Sequence, residues 1–271
     1  MSVVAIRADF LHCLRDPGLD GADATALECV RDGLLLIRDG RIELLAPATA
    51  LLQSLGPEVV VHDRRGRLVV PGFVDTHVHY PQVDVIASYG AQLLDWLERY
   101  TFPEERRFAD AAHAEAAAAF FLDRLLENGT TTASVFCTVH PGSVDAFFTE
   151  SRRRGLLMVA GKCVMDRHAP DGLRDTAASG DAESRALIER WHGLDRLRYS
   201  ITVRFAVTST PEQLALAGRL AAEHPTVHVQ SHVAENRDEV AWVARLFPER
   251  RSYLDVYDHH GLLRERAVYA H

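Results

Sequence analysis

Cysteine is scarce, with four residues in 271 at Cys13, Cys29, Cys137 and Cys163 and no C-x-x-C among them. That spacing supports neither a disulfide framework nor a thiolate metal knuckle, so the four are expected to be small core residues. Long apolar runs are missing too. Stretches such as Ala116 to Leu122 fall far short of the roughly 20 residues a bilayer span needs, and the start MSVVAIRADFLHC has no basic region ahead of an apolar block. No membrane partner is expected, and the expected location is cytoplasmic. Positive charge is also in deficit, with 30 Lys+Arg against 38 Asp+Glu and a net charge of -8. Arg152-Arg153-Arg154 is the only run that could gather basic residues on one face, so nucleic acid is not an expected partner. Neither a G-x-G-x-x-G nor a G-x-x-x-x-G-K-[ST] phosphate loop occurs.

What remains is 47% hydrophobic and 25% charged, the composition of a soluble globular protein, which excludes disorder and collagen. The length allows one large core with a small appendage. Early in the chain, Asp39-Gly40 separates the apolar runs Leu34–Ile37 and Ile42–Leu45, and Asp-Gly suits the positive φ angles of a type I′ hairpin. Residues 1–66 are therefore expected to form a small β unit with too few strands to bury both faces of a sheet.

From residue 67 to 271 short apolar runs alternate with helical patterns. Expected strands are Leu68 to His77, Thr130 to Cys137, Leu156 to Val164, Ser200 to Ala206, Thr226 to His232 and Ala267 to His271. Expected helices are Pro103 to Glu127, Val144 to Arg154, Ala182 to Trp191, Pro211 to Glu223 and Asp238 to Phe247, several closed by glycine. Such β-α repetition gives either a doubly wound sheet or a (β/α)8 barrel. Reactive side chains sit at the C-terminal end of strand after strand, at His77 and His79, Arg204, His232 and His271, and a barrel gathers those ends into one mouth.

His77 and His79 are two apart, so a strand turns both imidazoles the same way and offers two nitrogens to one metal. H-x-H by itself equally fits solvated or core histidines. Glu235 falls between a strand ending at His232 and a helix starting near Asn236, with Glu239 placed as a capping-box partner. It reads either as an acid favoured by the helix dipole or as a catalytic carboxylate. Arg204, near the end of an apolar strand, calls for a partner, either a nearby carboxylate or a substrate. His12, His113, His192, His259 and His260 lack a partner pattern and are expected to be surface or structural.

The run VVPGFVDTHVH at 69–79 resembles the strand that opens the metal site of the amidohydrolase superfamily. The stretches HYPQV at 79–83, LLDWL at 93–97 and YTFPEE at 100–105 are similar to its guanine-deaminase branch. The resemblance runs from the hairpin unit to residue 271. It implies an α/β fold, a TIM-like (β/α)8 barrel over 67–271 with about six of its strands present, preceded by the N-terminal part of a small β-sandwich over 1–66.

The same resemblance implies a metal held by His77, His79 and His232, one zinc ion, with iron also acceptable to such ligands. It makes Glu235 the proton shuttle, sets His271 beside the activated water, and assigns Gln82, Arg204 and Phe205 to the purine. The implied reaction is hydrolytic deamination of guanine to xanthine and ammonia by a zinc-activated water, in a homodimer. An aspartate of the eighth strand, which the family uses as ligand and base, is not in the sequence. A shortened chain is therefore expected, poorly stable and inactive alone. The rival readings are an amidohydrolase acting on another purine or a triazine ring, and an inactive pseudoenzyme fragment.

Overall fold

A computed structural model describes residues 3–18, 23–90 and 92–271. Of the expected N-terminal β unit, residues 1, 2 and 19–22 therefore lie outside the described residues. The chain forms two compact units, Met1–Gly72 and Phe73–His271.

In the first unit four strands, β1 (Val3–Cys13), β2 (Leu27–Arg38), β3 (Arg41–Pro47) and β4 (Val60–Val69), make one sheet in the order β3-β2-β1-β4. β2 and β3 pair antiparallel across Asp39 and Gly40, whose φ angles of 49° and 75° are those a type I′ turn requires. Small apolar clusters form at Ala5, Leu34 and Ala48 and at Ala8, Phe10 and Leu35. Cys13 and Cys29 correct the expectation of core cysteines, because both are exposed at the end of the β1-β2 pairing, whereas Cys137 and Cys163 are buried in the second unit.

The second unit is a parallel barrel sheet whose strands follow one another with intervening helices. β5 (Phe73–His79), β6 (Thr130–Phe136), β7 (Leu157–Gly161), β9 (Arg198–Val203), β10 (His228–His232) and β11 (Ala267–Ala270) lie side by side in that order. A two-residue strand, β8 (Cys163–Val164), also pairs with β9. The expected single strand over 156–164 is thus interrupted at Lys162. Gly161 lets β7 close on β9, since a Cβ there would collide with the Ser200 carbonyl. The expected strand from Leu68 to His77 is divided as well: β4 ends at Val69, and Pro71, which has no N–H to donate, separates it from β5.

Helices Ala111–Glu127, Pro141–Arg153, Ala177–Trp191 and Pro211–Glu223 carry the chain from one strand to the next. The helix expected from Pro103 to Glu127 is in fact broken. Helical turns begin at Leu93, pass through a π-helical turn at Leu97–Thr101, and stop at Asp110. Asp110 takes extended geometry and its carboxylate accepts from the Ala112 N–H, so it starts a new helix. Between β10 and β11 lie Arg237–Leu246 and a short helix not read from the sequence, Tyr253–His259, capped by Ser252.

The core fills the space between strands and helices. Tyr80, Phe108, Phe121, Phe147 and Phe148 pack as an aromatic cluster, and the Tyr80 hydroxyl donates to the Ser143 carbonyl at 2.7 Å. Inside the barrel Gln230, on β10, is bonded to two other strands, β6 and β9. Its amide donates to the Val135 carbonyl and the Thr202 hydroxyl and accepts from Ser134. The residues of the basic run are each matched by an acid: Arg152 by Asp195, Arg153 by Glu150, and Arg154 by Glu150 and Asp123. Among the described residues no helix is long and apolar enough to cross a membrane.

Candidate active site

The C-terminal ends of the barrel strands open into a cavity of about 640 Å³. His77, His79, Gln82, Arg204, Phe205, His232, Glu235 and His271 all line it, although they come from segments spread over 77–271.

β5 delivers His77 and His79 to the same side, as strand parity demands, with ring centroids 5.0 Å apart. The Asp75 carboxylate accepts from the His77 backbone N–H at 3.1 Å and steadies the strand end. His232 closes β10, its ring centroid 4.7 Å from that of His77 and 5.0 Å from that of His79. The tautomer of His232 follows from one contact. Its Nδ1 lies 2.6 Å from the Arg204 carbonyl, which can only accept, so Nδ1 carries the hydrogen and Nε2 presents a bare lone pair. That Nε2 faces His79 Nε2 at 3.0 Å, while the buried Nδ1 of His79 has no hydrogen-bond partner.

Electrostatics keep these rings neutral. Burial, with help from the neighbouring charge of His271, pulls His77 down to about 4, and burial also depresses His79 and His232 well below the usual imidazole range. A converging set of neutral imidazoles with ligand atoms within 4.8 Å of one another is the donor chemistry that a divalent metal takes up. The residues present fit such an ion.

Phe136, at the end of β6, was not singled out in the sequence. It stacks on His79 at 4.6 Å and lies 4.5 Å from His232, forming a floor that fixes both rings. Nothing distinguishes it in the sequence from an ordinary core phenylalanine.

Beyond β10 the chain turns back through Ala234, whose φ of 59° is left-handed and costs roughly 1–2 kcal/mol in a non-glycine residue. The turn brings Glu235 Oε1 to 3.7 Å from His271 Nε2. Burial raises the pKa of the Glu235 carboxyl despite the adjacent His271. The capping box expected at Asn236 and Glu239 is present: Asn236 accepts from the Asp238 N–H and Glu239 from the Asn236 N–H. Glu239 is fully buried and also accepts from the Tyr253 hydroxyl at 2.5 Å, while Tyr257 donates to the His232 carbonyl at 2.8 Å. These contacts hold the loop that carries Glu235.

Arg204 lies one residue past β9 and is buried. The carboxylate alternative for its partner is realised by Glu105, whose two oxygens accept from Nη1 at 2.5 and 2.7 Å. Arg204 nevertheless also reaches the cavity wall, beside Phe205. Gln82 reaches the same wall from the short helix Tyr80–Val85. Of the histidines expected to be surface or structural, His12 lies against Glu28, His113 against Glu104, His192 accepts from the Tyr199 N–H, and the rings of His259 and His260 meet edge to face.

The amidohydrolase family profile matches residues 68–271. The chain belongs to the amidohydrolase family. Over 98% of its length it is 49% identical to the guanine deaminase of Escherichia coli and 44% identical to a probable guanine deaminase of Deinococcus radiodurans, covering 61% of each. The solved E. coli guanine deaminase superimposes with a TM-score of 0.95 over the whole chain at 48% identity, and 62% of that structure is covered. A guanine deaminase from Bradyrhizobium japonicum gives 0.94 at 35% identity, with 58% covered. This amidohydrolase chain therefore spans about three-fifths of the length of these relatives.

Proposed function

We propose that the whole protein carrying this chain is a zinc-dependent guanine deaminase that hydrolyses guanine to xanthine and ammonia. The observation that carries the reading is the single cavity shared by the neutral histidine cluster, a partly exposed carboxyl at Glu235 and a polar wall at Gln82 and Arg204. His77, His79 and His232 would hold the zinc, which when bound supplies Lewis-acid activation of water near neutral pH.

The remaining residues orient the base and move protons. The Gln82 amide donates and accepts at once and so reads an amidine-like ring edge. Arg204 donates to the base carbonyl, and Phe205 packs beside it. Glu235, its pKa raised by burial, takes one proton from the attacking water to the ring nitrogen and then carries the second from the newly added oxygen to the departing amine. His271 stabilises the charge that develops on the ring, while Arg204 keeps its hydrogen bond to the base carbonyl. Over the reaction the amino-bearing carbon gains the oxygen of water, its exocyclic C–N bond breaks, and ammonia leaves.

The test is ammonia release by the zinc-loaded whole protein from guanine, adenine and a chlorinated triazine. Guanine should be turned over fastest. Faster release from adenine, or chloride release from the triazine exceeding guanine turnover, would replace this reading with another amidohydrolase activity.

A further inference from the structure

Resting on the reading of Arg204 as a contact to the base, we infer that Glu105 cancels the charge of Arg204, so that the Arg204 end of the cavity takes an uncharged ring carbonyl in preference to an anionic group. The two side chains are 3% and 1% exposed, so water does little to screen either. Both oxygens of Glu105 accept from the same nitrogen, the pattern of an ionised carboxylate, because a protonated one would point a hydrogen at the donor. The guanidinium also lies over the Phe102 ring, 5.6 Å from its centroid. Phe102 and Glu105 come from one short helix, Phe102–Arg106, so a single element supplies both the seat and the countercharge.

The rest of the wall agrees. The other arginine that lines the cavity, Arg124, is matched by Glu127 at 2.5 Å, and the lining carboxylates Asp75 and Glu235 repel anions. A carbonyl oxygen can accept from a paired guanidinium, whereas an anion brings a charge that neither lining arginine is free to balance. Glu105 is thus a positioning residue that also sets charge selectivity. It acts through Arg204, not on the substrate.

The experiment is calorimetric binding to the zinc-loaded whole protein of two oxopurines, hypoxanthine, which is neutral at pH 7, and urate, which is a monoanion there. Unmodified protein should bind hypoxanthine more tightly than urate. Glu105→Gln leaves the guanidinium uncompensated and should shift the affinity ratio toward urate by roughly tenfold or more. Glu105→Asp should keep the original ratio. Arg204→Met, which leaves the carboxylate unmatched, should move the ratio the other way, and this arm stands even if Glu105→Gln does not fold. Variants that weaken both ligands equally and leave the ratio fixed would show a merely structural pair and overturn the inference, with the base-binding reading intact. If hypoxanthine failed to bind the unmodified protein, the base-binding reading would itself fall, and the inference with it.

Discussion

His79 and His232 are 153 residues apart in sequence, yet their Nε2 atoms face each other at 3.0 Å. With the His232 Nδ1 hydrogen committed to the Arg204 carbonyl, the facing nitrogens form a neutral pair that a cation can join but a second proton cannot easily enter. Metal retention follows from this arrangement. Because the side chains of His77, His79 and His232 converge and are proposed to hold the zinc, His232→Ala should lose most bound zinc after dialysis, to below about a tenth of the unmodified content. Elemental analysis of the dialysed protein checks this, and zinc at unchanged stoichiometry would remove His232 from the ligand set.

Metal and turnover should separate at Glu235. If its carboxyl carries the proton as proposed, Glu235→Gln should keep zinc while slowing ammonia release by roughly 10²-fold or more. Near-normal turnover would return Glu235 to the part of a helix-start acid.

The support beneath Glu235 makes a stability prediction. Glu239 is buried and accepts from both the Asn236 N–H and the Tyr253 hydroxyl. Glu239→Ala strands the buried Tyr253 hydroxyl and the part-buried Asn236 N–H and removes one half of the capping box, which should cost about 2–4 kcal/mol. Denaturant unfolding should show the lower midpoint, and an unchanged midpoint would mean the network carries no net stability.

Acid should act through Glu150. The Arg153 guanidinium, aided by Arg154, holds the Glu150 carboxyl down to about 2, below its ordinary value of 4.5. A depressed carboxylate contributes stability that is present above the unfolded value and lost as pH falls toward the folded one. Glu150→Gln should therefore destabilise fully above about pH 4.5 and progressively less toward pH 2. Thermal melts of both proteins from pH 3 to 6 check the trend. A gap that widened on acidification would contradict it.

Much of the site could be read from the sequence because strand parity and short-range spacing leave marks there. His77 and His79 share a side by parity, His232 and Glu235 flank a visible strand-to-helix boundary, and Asn236 with Glu239 announces its cap. Arg204 stood out as a charge in an apolar strand, but its partner Glu105 is 99 residues away, and no local pattern links them. The stretch YTFPEE at 100–105 was informative as a family resemblance, and the structure supplies a physical reason: it holds the acid and the ring that seat Arg204. Phe136 left no mark, since a phenylalanine under two imidazoles has the same local pattern as one in a core. The strand break at Pro71 and the helix break at Asp110 were misread because apolar or helical patterns resume on the far side.

The most direct measurement is the initial rate of ammonia release from guanine and from adenine by the whole protein with one equivalent of zinc. The account predicts release from guanine, with adenine slower by roughly 10²-fold or more, since a site built to donate to a base carbonyl meets an amino group instead. Equal or faster release from adenine, or none from guanine with zinc bound, would contradict it.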